Sequence, residues 1–383
     1  MADASNVTFE EANRRRWQAI VAGAGVAGSC VALALARTGL EVLLIEKGRH
    51  PRAKTCGGCL HPAGYAALGA MGLARLPELS AAPLLDLVEL RWAGRRPVRI
   101  PLPEAAPYRA VERPSLDAAL LREAIGAGVR YLDGCQVLDS EAGGRNCRSV
   151  RVRGAAGEAV LRADFAVACE GLNSPLARSA GLVRPARPWW RPKVGFSLDA
   201  EGEAAVAPSS IAMHCEDWGY LGVVRLADGR WHLAAAVRPG VLREAGAVEL
   251  AAGTLRRHGL EGLHPLPESL VTAPRLTHSL VRPWAERLFV AGDAAGYVEP
   301  VTGEGMTWAV LAAQGVARAA SRGWTPETGP AYEALWRRDV ARGRGLVRLS
   351  AFALDRRPAR RAAWWALSAA PPLRRLAGRM AAR

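Results

Sequence analysis

Val21-Ala-Gly23-Ala-Gly25-Val-Ala-Gly28 decides the fold, because an apolar run enters this stretch and a helix-forming run leaves it. Gln18 to Val21 reads as a buried parallel strand. Val31-Ala-Leu-Ala-Leu-Ala-Arg37 reads as a helix, closed by Gly39 where a left-handed cap belongs. Glu41-Val-Leu-Leu-Ile45 returns as a second strand and ends on Glu46, 18 residues after the third glycine. This is a βαβ unit carrying the dinucleotide fingerprint. Gly23 permits the tight turn, Gly25 lets the backbone approach a pyrophosphate, and Gly28 lets helix and strand pack closely. Val26 and Ala27 open the helix, whose free N–H groups and positive dipole end attract phosphate. Glu46 stands where a carboxylate accepts hydrogen bonds from a ribose.

A competing reading is a secretory signal, since Arg14-Arg-Arg16 precedes an uncharged run from Trp17 to Ala36. That reading leaves the register of the glycines and the strand ending on Glu46 unexplained. A membrane-spanning helix is disfavoured by the glycine and alanine content of the run.

The chain has 383 residues, half of them apolar, enough for one large or two interlocked domains. Its seven cysteines (Cys30, Cys56, Cys59, Cys135, Cys147, Cys169, Cys215) are scattered and odd in number, which argues for a reducing, cytoplasmic setting. The basic excess is almost all arginine, with lysine only at Lys47, Lys54 and Lys193. From Arg337 to Arg383 thirteen arginines face only Asp339 and Asp355, so +11 of the net +15 sits in this tail. Such a tail suits an acidic surface, either membrane lipid at the cell's periphery or nucleic acid. Nucleic acid is the weaker choice, because the arginines are spread through alanine- and leucine-rich helix and no recognition motif accompanies them.

Residues 1–16 read as a flexible leader and 17–79 as the first nucleotide-binding block. A proline-rich stretch from Arg96 to Pro107 interrupts the pattern, and 80–107 is assigned to substrate-domain strands. Residues 108–186 resume the nucleotide-binding domain, with a helix from Ser115 and a buried strand Ala163 to Cys169 before the turn Glu170-Gly-Leu-Asn-Ser174. Residues 187–273 read as an antiparallel substrate sheet, from alternating segments such as Tyr220-Leu-Gly-Val-Val-Arg. Residues 274–330 close the nucleotide-binding domain through the strand Arg287 to Ala291 and a helix from Met306 to Ala320. Residues 331–383 form a basic helical tail. The expected fold is α/β: a doubly wound, Rossmann-like domain with an inserted antiparallel β-sheet and a C-terminal helical segment. A sheet inserted in this way is a natural lid for a substrate cavity.

A second phosphate-facing element is Gly292-Asp293-Ala-Ala-Gly296, followed by Glu299-Pro300-Val-Thr302-Gly303-Glu304-Gly305. Lying between a strand and a helix, it offers an aspartate and a row of backbone N–H groups suited to a ribityl chain and a flavin's pyrimidine edge. With Arg52-Ala-Lys54-Thr-Cys56-Gly57-Gly58-Cys59-Leu60 and Val111-Glu-Arg113-Pro-Ser-Leu-Asp117, the two glycine motifs make the chain resemble the FAD-dependent oxidoreductases of the hydroxylase superfamily. It most resembles the geranylgeranyl reductase family, across residues 17–340.

The resemblance implies bound FAD, with NADPH or NADH as the electron donor. The adenosine half would lie on Gly23, Gly25, Val26, Ala27, Gly28 and Glu46; Lys47 would also bind the cofactor, and Arg52 opens the segment that would lie over the flavin. The ring would lie near Cys56, Gly57, Gly58, Arg113, Gly292, Asp293, Pro300, Gly303, Gly305 and Met306. The superfamily's Asp-Gly turn appears here as Glu170-Gly171. Flavin halogenases need a lysine between flavin and substrate, and the chain has none from 55 to 192.

The expected reaction is hydride transfer from reduced flavin to a double bond of a hydrophobic, isoprenoid or polyketide-like molecule. Cys56, His61 and His214 are the candidate proton donors. Hydroxylation by a monooxygenase, the reverse dehydrogenation, and a non-catalytic flavoprotein binding module are the alternatives. Cys56 and Cys59 admit three readings: a redox pair, a stray metal site with His50 and His61, or a loop whose glycines pass over the flavin. The last is favoured, because one dinucleotide motif leaves no usual relay for a dithiol. No metal is expected. Trp189, Trp190, Trp218 and Trp231 either wall the substrate cavity or pack in the sheet core. Trp364-Trp365, between arginine clusters, fits either a helix in a membrane interface or a solvated basic helix.

Overall fold

The structure, a computed structural model, describes residues 6–92, 94–144, 146–184, 193–273, 276, 278–298 and 300–382. Trp189, Trp190 and Glu299 lie outside them.

The glycine-rich stretch joins the strand Arg16–Ala22 to the helix Val26–Ala36, and Val42–Ile45 follows as a neighbouring parallel strand. Gly157–Ala168 pairs in parallel on the other side, with Val21 opposite Val167. Leu288–Val290 and Arg130–Leu132 extend the parallel sheet at either side. The chain therefore departs from Arg16–Ala22 to either side of the sheet. The carboxyl end of that strand is a switch point, where open α/β sheets bind ligands. The helices Val26–Ala36, Arg113–Gly126 and Gly305–Ala320 pack together and bury the apolar face around Phe165 and Phe289.

The first half of Gly157–Ala168 continues beyond the parallel sheet and pairs with Cys147–Gly154, which pairs in turn with Gln136–Gly143. This antiparallel ribbon was not foreseen from the sequence. The leader also differs from expectation. Thr8 caps the helix Phe9–Arg14 with a capping box to Glu11, and Trp17 Nε1 donates to Ala12 O, so residues 6–16 are packed against the sheet.

A second sheet runs in the order Leu263–Pro265, Val194–Gly202, Trp231–Val237, Gly219–Arg225, Ser210–Glu216, Leu87–Trp92, Val98–Pro101. It is antiparallel except where Ser210–Glu216 lies parallel to Leu87–Trp92. The proline-rich stretch therefore contributes a strand, with Pro101 and its neighbours at the sheet's edge, where a missing donor is tolerated. Strand periodicity assigns two faces. Leu221, Val223, Trp231 and Leu233 pack towards the helix Ala247–Arg257, whereas Met213, Tyr220, Gly222, Val224 and Ala234 look towards the first domain.

The helices Arg344–Asp355, Arg357–Ala369 and Pro371–Ala381 close the chain and return to the second sheet. Among the described residues no helix is long and apolar enough to cross a membrane.

Candidate active site

The first wall of the site is main chain. Gly23 sits at φ +94°, and a Cβ there would lie 2.6 Å from Cys169 O. A Cβ on Gly28 would lie 1.7 Å from Gly23 O, so helix and turn touch backbone to backbone. Gly25 differs: the only atom near its Cβ position is Asp117 Oδ2 at 3.7 Å, which leaves the space above it open. The N–H groups of Val26, Ala27 and Gly28 precede the first intrahelical bond, from Ser29 N–H to Gly25 O, and are available to an anion. Glu46 is buried at the end of its strand and accepts from Ala24 N–H at 2.8 Å, Gly48 N–H at 3.1 Å and Arg52 Nη2 at 3.0 Å. A carboxylate accepts about four bonds, so one position remains for an outside donor. Lys47 points to solvent.

The second wall is built from charged pairs and glycines. Arg113 grips Asp117 one helical turn on, with bonds of 2.9 and 2.8 Å. Burial opposes its charge, but Asp117 and Cys56 outweigh burial and keep the guanidinium protonated. Lys54 Nζ lies 3.0 Å from Asp293 Oδ2. Burial opposes ionisation of Asp293, yet Lys54 foremost, then Arg113 and Arg344, hold its carboxyl below the ordinary range. Gly292, at φ +62°, brings this turn against Ala27, and Pro300, Gly303, Gly305 and Met306 continue the wall.

The segment Cys56-Gly57-Gly58 crosses between the two domains. His232 holds it from the second sheet, with Nε2 at 2.9 Å from Cys56 O and Nδ1 at 2.7 Å from Asp199 Oδ1. Sequence reasoning missed this residue. The signal was available in the period of two, which puts His232 on the opposite face from Trp231 and Leu233. Cys59 is buried, its Sγ 3.4 Å from Gly57 O, and burial pushes its thiol well above the ordinary range. All seven cysteines are free thiols.

One cavity joins these walls to the apolar face of the second sheet, through Ile211, Met213, Tyr220, Val224 and Leu276. Two acids line it, Asp293, which is paired with Lys54, and Glu304. The Oε2 of Glu304 is buried with no hydrogen-bond partner among the described residues, and burial, partly offset by a bond from Thr302, pushes its carboxyl up to about 7. In the sequence it stands only as one member of a glycine-rich turn.

Two of the three proposed proton donors stand elsewhere. His61 caps the helix Pro62–Ala70: Nδ1 accepts from Ala63 N–H at 3.0 Å and Nε2 bonds Ala381 O at 2.8 Å. Both ring nitrogens are thereby engaged outside the cavity lining. His214 follows Met213, so strand alternation turns it to the opposite face, where it stacks edge-on to His258 at 4.6 Å. Burial, reinforced by His258 and Arg91, drives it well below the ordinary histidine range. Cys56 alone of the three lines the cavity. Trp218 and Trp231 also turn away, packing into the helix-covered core. Trp308, not singled out beforehand, lines the cavity from the helix Gly305–Ala320. Glu170 accepts from Ser174 Oγ and Leu176 N–H beside the start of the short helix Pro175–Ser179.

Residues 16–201 match the FAD binding domain family. The chain is an FAD-dependent oxidoreductase, similar to members of the flavoprotein hydroxylase superfamily. It is 28% identical to digeranylgeranylglycerophospholipid reductase 2 of Methanothermobacter thermautotrophicus over 76% of this chain and 74% of that one. It is also 28% identical to menaquinone reductase of Mycolicibacterium smegmatis, over 88% and 85% of the two chains. The fold matches that of the myxobacterial chondrochloren halogenase CndH, with a TM-score of 0.78, 22% identity and coverage of 96% and 91%. The residues of this oxidoreductase fit FAD: the space over Gly25 takes a diphosphate that a side chain would fill, and the helix behind it supplies unused N–H donors. Of the three lysines, Lys47 is exposed, Lys54 pairs with Asp293 and Lys193 pairs with Asp355.

Proposed function

We propose that this oxidoreductase reduces a carbon–carbon double bond of a hydrophobic molecule with an isoprenoid or polyketide-like skeleton. Glu304 is the observation that carries the reading. Adding hydrogen across a double bond needs a proton donor in a dry site. Glu304, on the cavity lining, carries a buried carboxyl oxygen with no partner among the described residues, whereas the other lining acid, Asp293, is paired with Lys54. That two of the relatives are reductases supports the direction of the reaction.

Bound FAD supplies a two-electron carrier that passes hydride to an electron-poor carbon. Gly25 and the N–H groups of Val26, Ala27 and Gly28 would hold its diphosphate. Glu46 would take the ribose, and Asp293 with the Gly303–Gly305 turn would take the ribityl and ring edge. The Cys56-Gly57-Gly58 backbone, fixed by His232, would lie along the ring. Met213, Tyr220 and Val224 exclude water and orient the apolar chain. The Glu304 carboxyl holds the proton: its O–H bond breaks as a C–H bond forms, and the carboxylate left behind is reprotonated from solvent.

NADPH or NADH is the proposed reductant, and anaerobic mixing tests the scheme. The reduced protein is expected to be reoxidised without oxygen by an isoprenoid lipid or a menaquinone, giving a product heavier by two hydrogens. Reoxidation only in air, with a hydroxylated product, would replace the reductase by a monooxygenase. Absence of any turnover would leave a binding module.

A further inference from the structure

The basic tail is two things at once. Arg344 and Arg360 are buried, donating to the carbonyls of Ala295 and Gly296 and of Glu216 and Leu354 respectively. Arg361, Arg374, Arg375 and Arg379 have no acidic partner among the described residues, and the sequence from Arg356 onward contains no acid. Exposed large apolar side chains concentrate in the same region: Phe352, Trp365, Leu373, Leu376 and Met380, the last four on the final two helices.

In Pro371–Ala381 these features are ordered. Leu373, Leu376 and Met380, at 42%, 53% and 47% exposure, recur at i, i+3 and i+7 and form one stripe. Arg375 and Arg379, one turn apart, border it. The opposite side is fixed to the protein: a Cβ on Gly378 would lie 2.0 Å from Pro101 O. Ala381 O accepts from Tyr108 Oη at 2.6 Å and bonds His61, and Ala381 itself lines the cavity. The helix that shows an apolar stripe to the outside is therefore also a wall of the substrate cavity.

We propose that the outer faces of the last two helices dock on an anionic phospholipid bilayer, which places the cavity wall at Ala381 beside the lipid. An apolar stripe bordered by uncompensated arginines is the pattern of a helix lying in a bilayer interface. A second copy of the chain fits less well, because a two-fold contact would set arginines against arginines. Nucleic acid would leave the Leu373–Leu376–Met380 stripe in water. The entry of substrate from the bilayer rests on the reductase reading; the docking does not.

The test is sedimentation of the FAD-loaded full-length protein with vesicles of phosphatidylcholine, with and without phosphatidylglycerol, and no substrate present. Binding is expected to phosphatidylglycerol vesicles, weakened by salt. It should fall at least tenfold in Arg375→Glu/Arg379→Glu and in Leu373→Ser/Leu376→Ser. FAD absorbance should be retained, which shows that both variants are folded. Equal binding by wild type and variants would overturn the proposal. So would loss in the arginine variant alone together with DNA binding, or a concentration-dependent dimer that the leucine variant abolishes. Because no turnover is read, failure here is distinct from failure of the reductase scheme.

Discussion

The two walls of the cavity are built from different parts of the chain. On the cofactor side the surface is backbone: Gly23, Gly25, Gly28, Gly292 and Gly303 bring main chain to places where a Cβ would collide or fill the space. On the substrate side it is side chain, with Met213, Tyr220 and Val224 projecting from a sheet whose other face is equally apolar. A backbone surface demands particular residue types, so it leaves a sequence signature. A side-chain surface only demands apolar volume, which many sequences supply.

Gly28→Val and Gly25→Val break the comparison most severely and in opposite ways. The first pushes a Cβ into Gly23 O and cannot be relieved without parting helix from strand. It should cost about 3 kcal/mol or more in urea unfolding, at or beyond the upper end for overpacking. The Cβ of the second meets no protein atom closer than 3.7 Å, so the chain should fold normally and purify without FAD. Full flavin occupancy in Gly25→Val would remove the cradle from the account. On the substrate side, Glu304→Gln should keep FAD and lower turnover by about 10²–10⁴-fold, the usual contribution of a positioned acid. Wild-type turnover should fall as pH rises through about 7, where Glu304 loses its proton, and the variant should lack this limb. A limb that survives the substitution would assign the proton elsewhere.

These differences explain what could be read from the chain alone. The βαβ unit, the acid at Glu46 and the Gly292–Gly305 turn were legible because phosphate binding and tight packing dictate glycine and spacing. The ribbon at Cys147–Gly154 was legible but overlooked: Val150 and Val152 alternate with Arg151 and Arg153. His214 and Met213 could not be separated, since the strand Ser210–Glu216 is buried on both faces and only its pairing tells which looks into the cavity. Glu304 was hidden for another reason. Burial without a partner is a property of the folded cavity, and the residue reads locally as one polar position among glycines. The tail's net charge was visible, but its division into buried Arg344 and Arg360 and free Arg375 and Arg379 needed the packing.

Asp293→Ala probes the charged pair between the walls. Removing the carboxylate leaves Lys54 unpaired, but its side chain is 35% exposed and can be rehydrated. The loss of stability should therefore stay near 1–3 kcal/mol, about the cost of an unsatisfied buried group. Flavin affinity should fall about tenfold or more, which corresponds to about 1.4 kcal/mol or more. Unchanged flavin content and turnover would show that Asp293 serves only Lys54.

The smallest effect is expected at Cys59. Its thiol is buried, bonded to Gly57 O, and disfavoured as thiolate, so it has neither the exposure nor the ionisation that disulfide exchange requires. Serine has nearly the same shape and can give the same carbonyl a stronger hydrogen bond. Cys59→Ser should therefore change turnover less than about twofold, within the ±0.5 kcal/mol typical of undisturbing substitutions. Cys56 lies at the cavity beside Arg113, and Cys56→Ser should alter the rate while leaving FAD bound. A redox pair would behave otherwise: both substitutions would abolish turnover, and thiol titration would find two fewer free thiols in the oxidised protein than after reduction. If it did, the Cys56–Cys59 segment would carry chemistry of its own and would no longer be only a backbone passage along the cavity.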